Sequence, residues 1–228
     1  MLVVALVLLV VNMHRVALSP RLHLLETRTA PELTLDPSHK WHLFLSHNWD
    51  NQDVVATIKR QLQLLLPGVQ CFLDVDDLES TEELESYVEA SQAMLVLLGS
   101  ASYMSSHNCQ REVAAAHRLA LPLVRVHDAD ASHGGAPLDE LRRTSEGHPH
   151  SRRHTEVLFG GGGGGGGPHE VIPWHRVKAF QQVALAAIAE QVLLASPAYA
   201  DESEVPLGID GGLAWAQASF AHPVTLHV

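Results

Sequence analysis

The chain is predicted to be an α/β protein built on a doubly wound, mainly parallel sheet. From residue 42 to residue 195, short apolar runs closed by polar residues alternate with longer segments in which apolar residues recur at helical spacing. This alternation indicates βαβ units, whose strands are parallel and whose crossovers are right-handed. Ligands of such sheets bind at the carboxyl ends of the strands, near the point where the strand order reverses.

The first βαβ unit is predicted at residues 41–78. Residues 42–46 form a short apolar run, which is typical of a strand buried on both faces. The helix that follows carries apolar residues at helical spacing and ends at Pro67-Gly68. Residues 69–73 form the second strand, and an acidic loop follows at its carboxyl end.

The later elements repeat this rhythm. They are a helix around Leu84, a third strand at 93–98, a helix from about 105 to 120, a fourth strand at 121–126, a fifth strand at 171–172 and a helix at 174–195. The last helix is predicted to bury one apolar stripe, formed by Val177, Phe180, Ala184, Ile188 and Val192.

Composition divides the chain into an apolar N-terminus and linker (1–40), one domain (41–195) and an incomplete C-terminal extension (196–228). Within the domain, residues 127–168 hold scattered His, Gly and Pro residues and the run from Gly160 to Gly167. Ordering polyglycine costs much backbone entropy, so this stretch is predicted to be a disordered insertion. Its histidines could bind a metal weakly, although a solvated low-complexity loop is the favoured interpretation.

Charge and cysteine content limit the class of protein. The formal net charge of −11 disfavours a nucleic acid partner, since an acidic chain repels phosphate groups. Cys71 and Cys109 lack the CxxC spacing of a zinc site, so no metal is expected, and both are interpreted as reduced thiols of a cytoplasmic protein.

The apolar run at residues 1–11 is well short of the roughly 20 residues that span a membrane. It has the length of a signal-peptide core, but no basic residue precedes it and no small-residue cleavage site follows. A membrane is therefore not an expected partner, while a targeting role for this run stays open.

Polar residues at the strand ends mark the candidate site. The first strand ends in Ser46, His47 and Asn48, the second in the acidic loop, and the third in Gly99-Ser100. On the helix at 105–120, Glu112 lies roughly 70° from the centre of the stripe that faces the sheet, at about 100° per residue. This position is at the rim, where a carboxylate could face the cleft or could be an ordinary surface residue.

Two nucleotide- or phosphate-handling classes are excluded by missing residues. A receiver domain needs carboxylates at the ends of the first and third strands, which here end in Ser46-His47 and Gly99-Ser100. A phosphate-binding loop needs Gly-Lys-Ser/Thr, and the glycine run at 160–167 lacks that ending.

Several short motifs, in this order, resemble the TIR (Toll/interleukin-1 receptor) domain family. They are Phe44-Leu45-Ser46-His47, the run from Phe72 to Leu78, Met94 to Leu98, Cys109-Gln110-Arg111-Glu112-Val113 and Ile172-Pro173-Trp174-His175. The second resembles the strand that leads into the family's BB loop, and the fourth resembles its C-x-x-E helix. The resemblance covers about 41–126 and 170–195, and it implies a flavodoxin-like sheet of five parallel strands flanked by helices.

The resemblance also implies one of two functions. Many TIR domains are homotypic assembly modules that recruit other TIR-domain proteins in immune or stress signalling, and others cleave NAD+ at the nicotinamide–ribose bond. In the enzymes the glutamate of the C-x-x-E helix is catalytic, which implies that Glu112 is the catalytic residue, with NAD+ as substrate and no cofactor. The substrate-binding residues implied are Ser46, His47, Asn48, Asp76, Asp77, Leu78, Asn108 and Cys109.

The two functions are favoured by different residues. Glu112 favours the enzyme, in which self-association would complete the site by repositioning the BB-like loop. Asn108 favours a non-catalytic adaptor, because the active enzymes often have Trp at that position. His47-Asn48 likewise stands where the family often has an aromatic residue followed by a basic one.

Overall fold

A computed structural model describes Val4 and residues 20–74, 83–160 and 171–210 of the chain. Within these ranges the strands are β1 (Leu22–Leu24), β2 (Leu43–Ser46), β3 (Cys71–Phe72), β4 (Met94–Leu98), β5 (Leu123–Asp128), β6 (Ile172–Trp174) and β7 (Leu207–Ile209). The α-helices are α1 (Gln52–Leu65), α2 (Leu84–Glu89), α3 (Ser102–Ser105), α4 (His107–Arg118), α5 (Leu138–Gly147), α6 (Thr155–Phe159) and α7 (Lys178–Leu194).

The central sheet has the strand order β3-β2-β4-β5-β6, and every neighbouring pair is parallel. The prediction of a flavodoxin-like, doubly wound five-stranded sheet flanked by helices is confirmed. Because the chain leaves β2 toward β3 and β4 toward β5, the strand order reverses between β2 and β4, which places the expected ligand crevice between their carboxyl ends.

Side chains of alternate strand residues enter two apolar cores, one on each face of the sheet. Leu43 and Leu45 of β2 pack in one core with α1 and α7, whereas Phe44 packs in the other with α2, α3 and α4. Phe44 stacks on Phe72, whose ring in turn stacks on Tyr87 of α2. The core that contains Phe44 holds α4 against the same strand whose carboxyl end carries Ser46.

A two-stranded antiparallel sheet joins the two flanks of the predicted domain. Leu22 of β1 pairs with Ile209 of β7, and both side chains are buried in the core that contains α7. The described parts of the predicted linker (1–40) and of the predicted incomplete C-terminal extension (196–228) therefore both bury apolar side chains against the domain.

The predicted disordered insertion is also corrected for residues 127–160. Helices α5 and α6 lie in this stretch, and Leu141 and Leu158 are fully buried in the core that contains α4. Apolar burial on one helical face compensates for the cost of ordering a polar, glycine-containing sequence. Residues 161–168, which include most of the glycine run, lie outside the described ranges.

The predicted apolar stripe of the last helix is only partly buried. Ala184, Ile188 and Val192 are buried, whereas Val177, which precedes α7, and Phe180, in its first turn, are more than half exposed. Apart from Val4, the apolar run at residues 1–11 lies outside the described ranges. Among the helices that the structure describes, none combines the length and apolarity needed to cross a membrane.

Candidate active site

Glu112 is held at the carboxyl end of β2. The Ser46 hydroxyl donates to Glu112 Oε2 over 2.5 Å, and both side chains are buried, with Glu112 only 6% exposed. Helix α4 is started by Ser106, whose side chain caps it by accepting from the Cys109 N–H over 3.3 Å. The prediction that Glu112 lies at the rim of the helix is therefore wrong, since β2 and α3 cover that face.

A second hydroxyl, that of Tyr103, joins this pair. The Tyr103 hydroxyl lies 2.6 Å from Ser46 Oγ, and Tyr103 is fully buried on the short helix α3. The Gln110 side-chain amide donates to the Tyr103 carbonyl over 3.0 Å, which ties α3 to α4. Tyr103, Ser46 and Glu112 thus form one continuous buried hydrogen-bonded chain.

Burial dominates the electrostatics of Glu112 and raises its pKa to about 8. The hydrogen bond from Ser46 opposes this increase by favouring the anion. Among nearby charges, Asp74 and Glu85 raise the pKa, and Arg111 lowers it. Arg111 is engaged with Glu85 in a two-pronged ion pair, with Nε–Oε1 2.7 Å and Nη2–Oε2 2.5 Å, so part of its charge is balanced away from Glu112.

Cys109 lies on the same buried face of α4 as Glu112. Its thiol donates to the His47 carbonyl over 3.3 Å, and burial together with Glu112 raises its pKa, so the thiol stays protonated. The His47 ring is also buried, with Nε2 3.7 Å from Asp74 Oδ1 after β3. Two side chains from α4 are therefore fixed to consecutive residues at the end of β2.

Asn48 closes the crevice at the reversal of strand order. Its amide donates to Asp50 Oδ2 over 3.1 Å, to Ser100 Oγ over 3.3 Å and to Ser102 Oγ. The Ser102 hydroxyl in turn donates to Asp50 Oδ2 over 2.7 Å. This network connects the segment after β2 to the segment after β4, the two segments that diverge toward opposite faces of the sheet.

The structure therefore brings together Glu112, Ser46, His47 and Cys109, with Asn48 in the adjoining network. Asn108 is exposed on the first turn of α4, away from these buried contacts. The remaining predicted site residues, Asp76, Asp77 and Leu78, lie outside the described residues.

Sequence reasoning missed Tyr103 and Trp49. The tyrosine follows the third strand by a few residues, and that proximity is the one signal that could have drawn attention to it. Trp49, directly after Asn48, is 72% exposed, although Trp is among the residues that gain most from burial. An exposed Trp beside the end of β2 supplies an aromatic face that the residue types at 47 and 48 do not.

A second charged cluster occupies the same edge of the sheet, beyond β5 and β6. Arg176 Nη2 lies 3.1 Å from Asp128 Oδ2, Nε lies 3.2 Å from Asp130 Oδ2, and Nη1 lies 3.3 Å from Asp53 Oδ2. Asp128 is buried at the end of β5, so Arg176 balances a carboxylate that has little access to water.

Comparison with protein-family models matches residues 43–143 to the TIR domain. The match begins at β2 and ends within α5, so it includes Ser46, Tyr103 and Glu112. No curated protein matches the chain. Over the three long ranges of described sequence, no group of three or more His, Cys, Asp or Glu side chains is arranged to hold a metal ion.

Proposed function

Residues 43–143 of this chain belong to the TIR domain family, and from that premise we propose that the chain is a signalling protein that cleaves NAD+ at its nicotinamide–ribose bond. The observation that carries the proposal is the buried carboxyl group of Glu112, bonded to Ser46 at the carboxyl end of β2. Glu112 lies on α4, after the third strand of the central sheet along the chain, at the edge where ligands of such sheets bind. Its carboxyl group can supply the negative charge that the reaction needs.

The reaction calls for a negative charge beside the ribose. When the bond between ribose C1′ and the nicotinamide nitrogen breaks, its electron pair leaves with the ring, which becomes neutral nicotinamide. The ribose is left with oxocarbenium character, as in glycoside cleavage. Glu112 as an anion in an enclosed site stabilises that charge more than water would. In the hydrolytic form, water adds to C1′ and loses a proton, so NAD+ and water give ADP-ribose, nicotinamide and one proton.

The environment of Glu112 makes this activity pH-dependent. Because burial raises its pKa to about 8, the carboxyl group is mainly neutral at pH 7 and becomes an anion as the pH rises through 8. We therefore expect NAD+ cleavage to increase with pH over this range. Substrate access also requires movement of groups that cover Glu112, which is 6% exposed. A neighbouring chain that rearranges the segment after β3 would provide that movement.

The alternative is a non-catalytic adaptor that acts through homotypic TIR–TIR contacts, the kind of interaction that TIR domains generally mediate. The observation that favours it is the burial of Glu112, whose Oε2 already accepts from Ser46 within the protein. Asn108 adds to this case, because an amide side chain stands at the position where the active enzymes often have Trp. In this alternative, Glu112 is a structural residue that joins α4 to β2.

The test is nicotinamide release from NAD+ by purified protein, at high concentration and on a crowding surface, between pH 6.5 and 9. Wild type is compared with Glu112→Gln, which keeps the shape and removes the acid, and with Glu140→Gln, the same change on the exposed face of α5. Release by wild type and Glu140→Gln but not by Glu112→Gln supports the enzyme. If all three proteins release nicotinamide only at the background rate, and wild type self-associates as its concentration rises, the adaptor function would be supported and the enzyme function rejected.

A further inference from the structure

The three buried hydroxyl and carboxyl groups at the site have a fixed donor order. Tyr103 OH lies 2.6 Å from Ser46 Oγ, and Ser46 Oγ lies 2.5 Å from Glu112 Oε2. Within the described residues, Ser46 is the sole hydrogen-bond partner of the Tyr103 hydroxyl. Because a buried hydroxyl that fails to donate is costly, the phenol must donate to Ser46.

This constraint determines the direction of the next hydrogen bond. A serine hydroxyl has one proton, and Ser46 already accepts from the phenol. Its own proton therefore points to Glu112, which must accept it at Oε2. Two aligned hydroxyl donors polarise one another and favour a charged acceptor at the end of the chain. If Glu112 donated to Ser46 instead, Ser46 Oγ could accept from both groups through its two lone pairs, but its own buried proton would be left without an acceptor.

We propose that Tyr103 is a positioning residue for the reaction, which fixes the direction of the Ser46 hydroxyl and thereby favours the anionic form of Glu112 by keeping a hydrogen-bond donor aimed at Oε2. The inference rests on the proposed function for its catalytic meaning, but the geometry of the three side chains can be tested without NAD+. Tyr103 acts through Ser46 and does not touch Glu112 in this chain of contacts.

Rigid packing makes this control possible. Tyr103 and Ser46 are both fully buried, so neither side chain has space to adopt another rotamer without displacing the core. The bond from Gln110 to the Tyr103 carbonyl fixes the backbone of α3 against α4, the helix that carries Glu112. The phenol is therefore held at a constant distance from the carboxyl group that it influences.

Other groups near Glu112 shift its pKa in both directions, and none of them takes the place of the hydrogen bonds that link Tyr103, Ser46 and Glu112. Burial is the main force for the neutral form, and Asp74 and Glu85 add to it, whereas Arg111 favours the anion. The remaining titratable neighbours are Cys109 on α4, which stays a thiol, and His47 after β2, whose ring faces Asp74. Among uncharged groups, the Ser46 hydroxyl is the donor to Glu112, and Tyr103 sets its direction.

The decisive measurement is the pKa of Glu112 by carboxyl ¹³C NMR in protein labelled at glutamate, with the signal assigned by its loss in Glu112→Gln. Tyr103→Phe removes one hydroxyl and keeps the ring, and we expect it to raise the measured pKa by about 0.5 to 1. Ser46→Ala should raise it further, because the direct donor is lost. Tyr199→Phe is the matched control, since the Tyr199 hydroxyl accepts from the Glu32 N–H over 2.9 Å, far from the site.

An unchanged or lowered pKa in Tyr103→Phe would overturn the inference. If Tyr103→Phe does not fold, an unchanged pKa in Ser46→Ala would overturn it as well, since Tyr103 acts only through Ser46. In the cleavage assay, the kcat of Tyr103→Phe should rise at a higher pH than the kcat of wild type. Above that pH the two kcat values should be equal, and KM should be unchanged. If wild type releases no nicotinamide while the NMR change is present, the proposed function fails and the role of Tyr103 stands. If wild type cleaves NAD+ but Tyr103→Phe changes neither the pH profile of cleavage nor the pKa of Glu112, the proposed function stands and the role of Tyr103 fails.

Discussion

Ser46 and Glu112 are joined by a 2.5 Å hydrogen bond that connects the carboxyl end of β2 to the middle of α4. Both partners are buried, so the bond lies inside the protein at the edge of the sheet where ligands are expected. Its acceptor is under electrostatic strain, because burial raises the pKa of Glu112 to about 8. That strain has consequences for stability as well as for catalysis.

The contribution of Glu112 to the free energy of unfolding is expected to fall as the pH rises from about 4.5 to about 8. The folded state retains the Glu112 proton over this range while the unfolded state releases it, so the stabilisation present below pH 4.5 is lost as the pH passes through the folded pKa. This one group contributes a slope of at most about 1.4 kcal/mol per pH unit. Glu112→Gln should remove the slope and be more stable than wild type at pH 8. Urea unfolding at several pH values measures both, and a difference that does not change with pH would contradict the assignment.

The parts of the fold that sequence predicted are those with a strong repeat. Buried parallel strands are continuous apolar runs and α1 is strongly amphipathic, so their periods are visible without tertiary information. The pairing of β1 with β7 was not visible, since three-residue strands are too short to show a period and their partners lie at opposite ends of the described sequence. Helix α5 was missed because its polar composition hides the few positions that it buries.

The site was predicted to a similar extent and for a similar reason. Residues at strand ends can be placed at one edge of the sheet by topology alone, which is how Ser46 and His47 were predicted to be neighbours, whereas Glu112 was predicted from its place on a helix and from the family resemblance. A helical wheel gives the angle of Glu112 on α4 but not what covers it, so its burial was missed. The contact between Tyr103 and Ser46 spans 57 positions and depends on the path of α3, which no local pattern specifies.

Leu141→Ala is expected to destabilise the protein by about 2–5 kcal/mol, as deletion of a fully buried leucine side chain does in other cores. The reason is that α5 packs on the core containing α4, although its sequence looks like that of a loop. Glu140→Ala, one residue earlier and exposed, should change stability by no more than about 0.5 kcal/mol. Denaturant unfolding of both variants is the measurement, and equal small effects would mean that α5 does not contribute to the core.

Under the proposed function, Trp49→Ala is expected to raise KM for NAD+ about tenfold with little change in kcat if its ring stacks on a base of the substrate, a contact that contributes about 1–3 kcal/mol. Trp49 is 72% exposed, so its removal should leave the free energy of unfolding within about 0.5 kcal/mol of wild type. Trp49→Phe keeps an aromatic face and should retain most of the affinity. A loss of kcat at unchanged KM in Trp49→Ala would show that the ring acts elsewhere than in binding.

Arg176→Gln is expected to cost about 2 kcal/mol or more, because Asp128 would remain as a buried carboxylate without its cation. Arg142→Gln is the matched control, since Arg142 pairs with Glu146 and Glu156, which are both largely exposed. Exposed pairs of this kind contribute at most about 1 kcal/mol. Thermal or urea unfolding of the two variants compares them directly. Equal costs would show that the contacts of Arg176 are no stronger than those of a surface pair.

Gly99→Ala is expected to destabilise the segment after β4, because a Cβ atom there would lie 2.7 Å from the side-chain amide of Asn51. Asn51 is 1% exposed and does not cap α1, and its amide has no hydrogen-bond partner among the described residues, so it occupies this space without a compensating bond. Overpacking of this kind costs about 1–3 kcal/mol.

The matching double variant, Gly99→Ala with Asn51→Ala, should recover part of that loss, since the shortened side chain makes room for the new methyl group. A coupling energy of at least about 0.5 kcal/mol between the two positions is expected from a full double-mutant cycle measured by urea unfolding. Strictly additive effects would mean that the two side chains do not compete for this space. In that case the glycine would be required by the backbone alone, at the end of the strand that borders the ligand crevice.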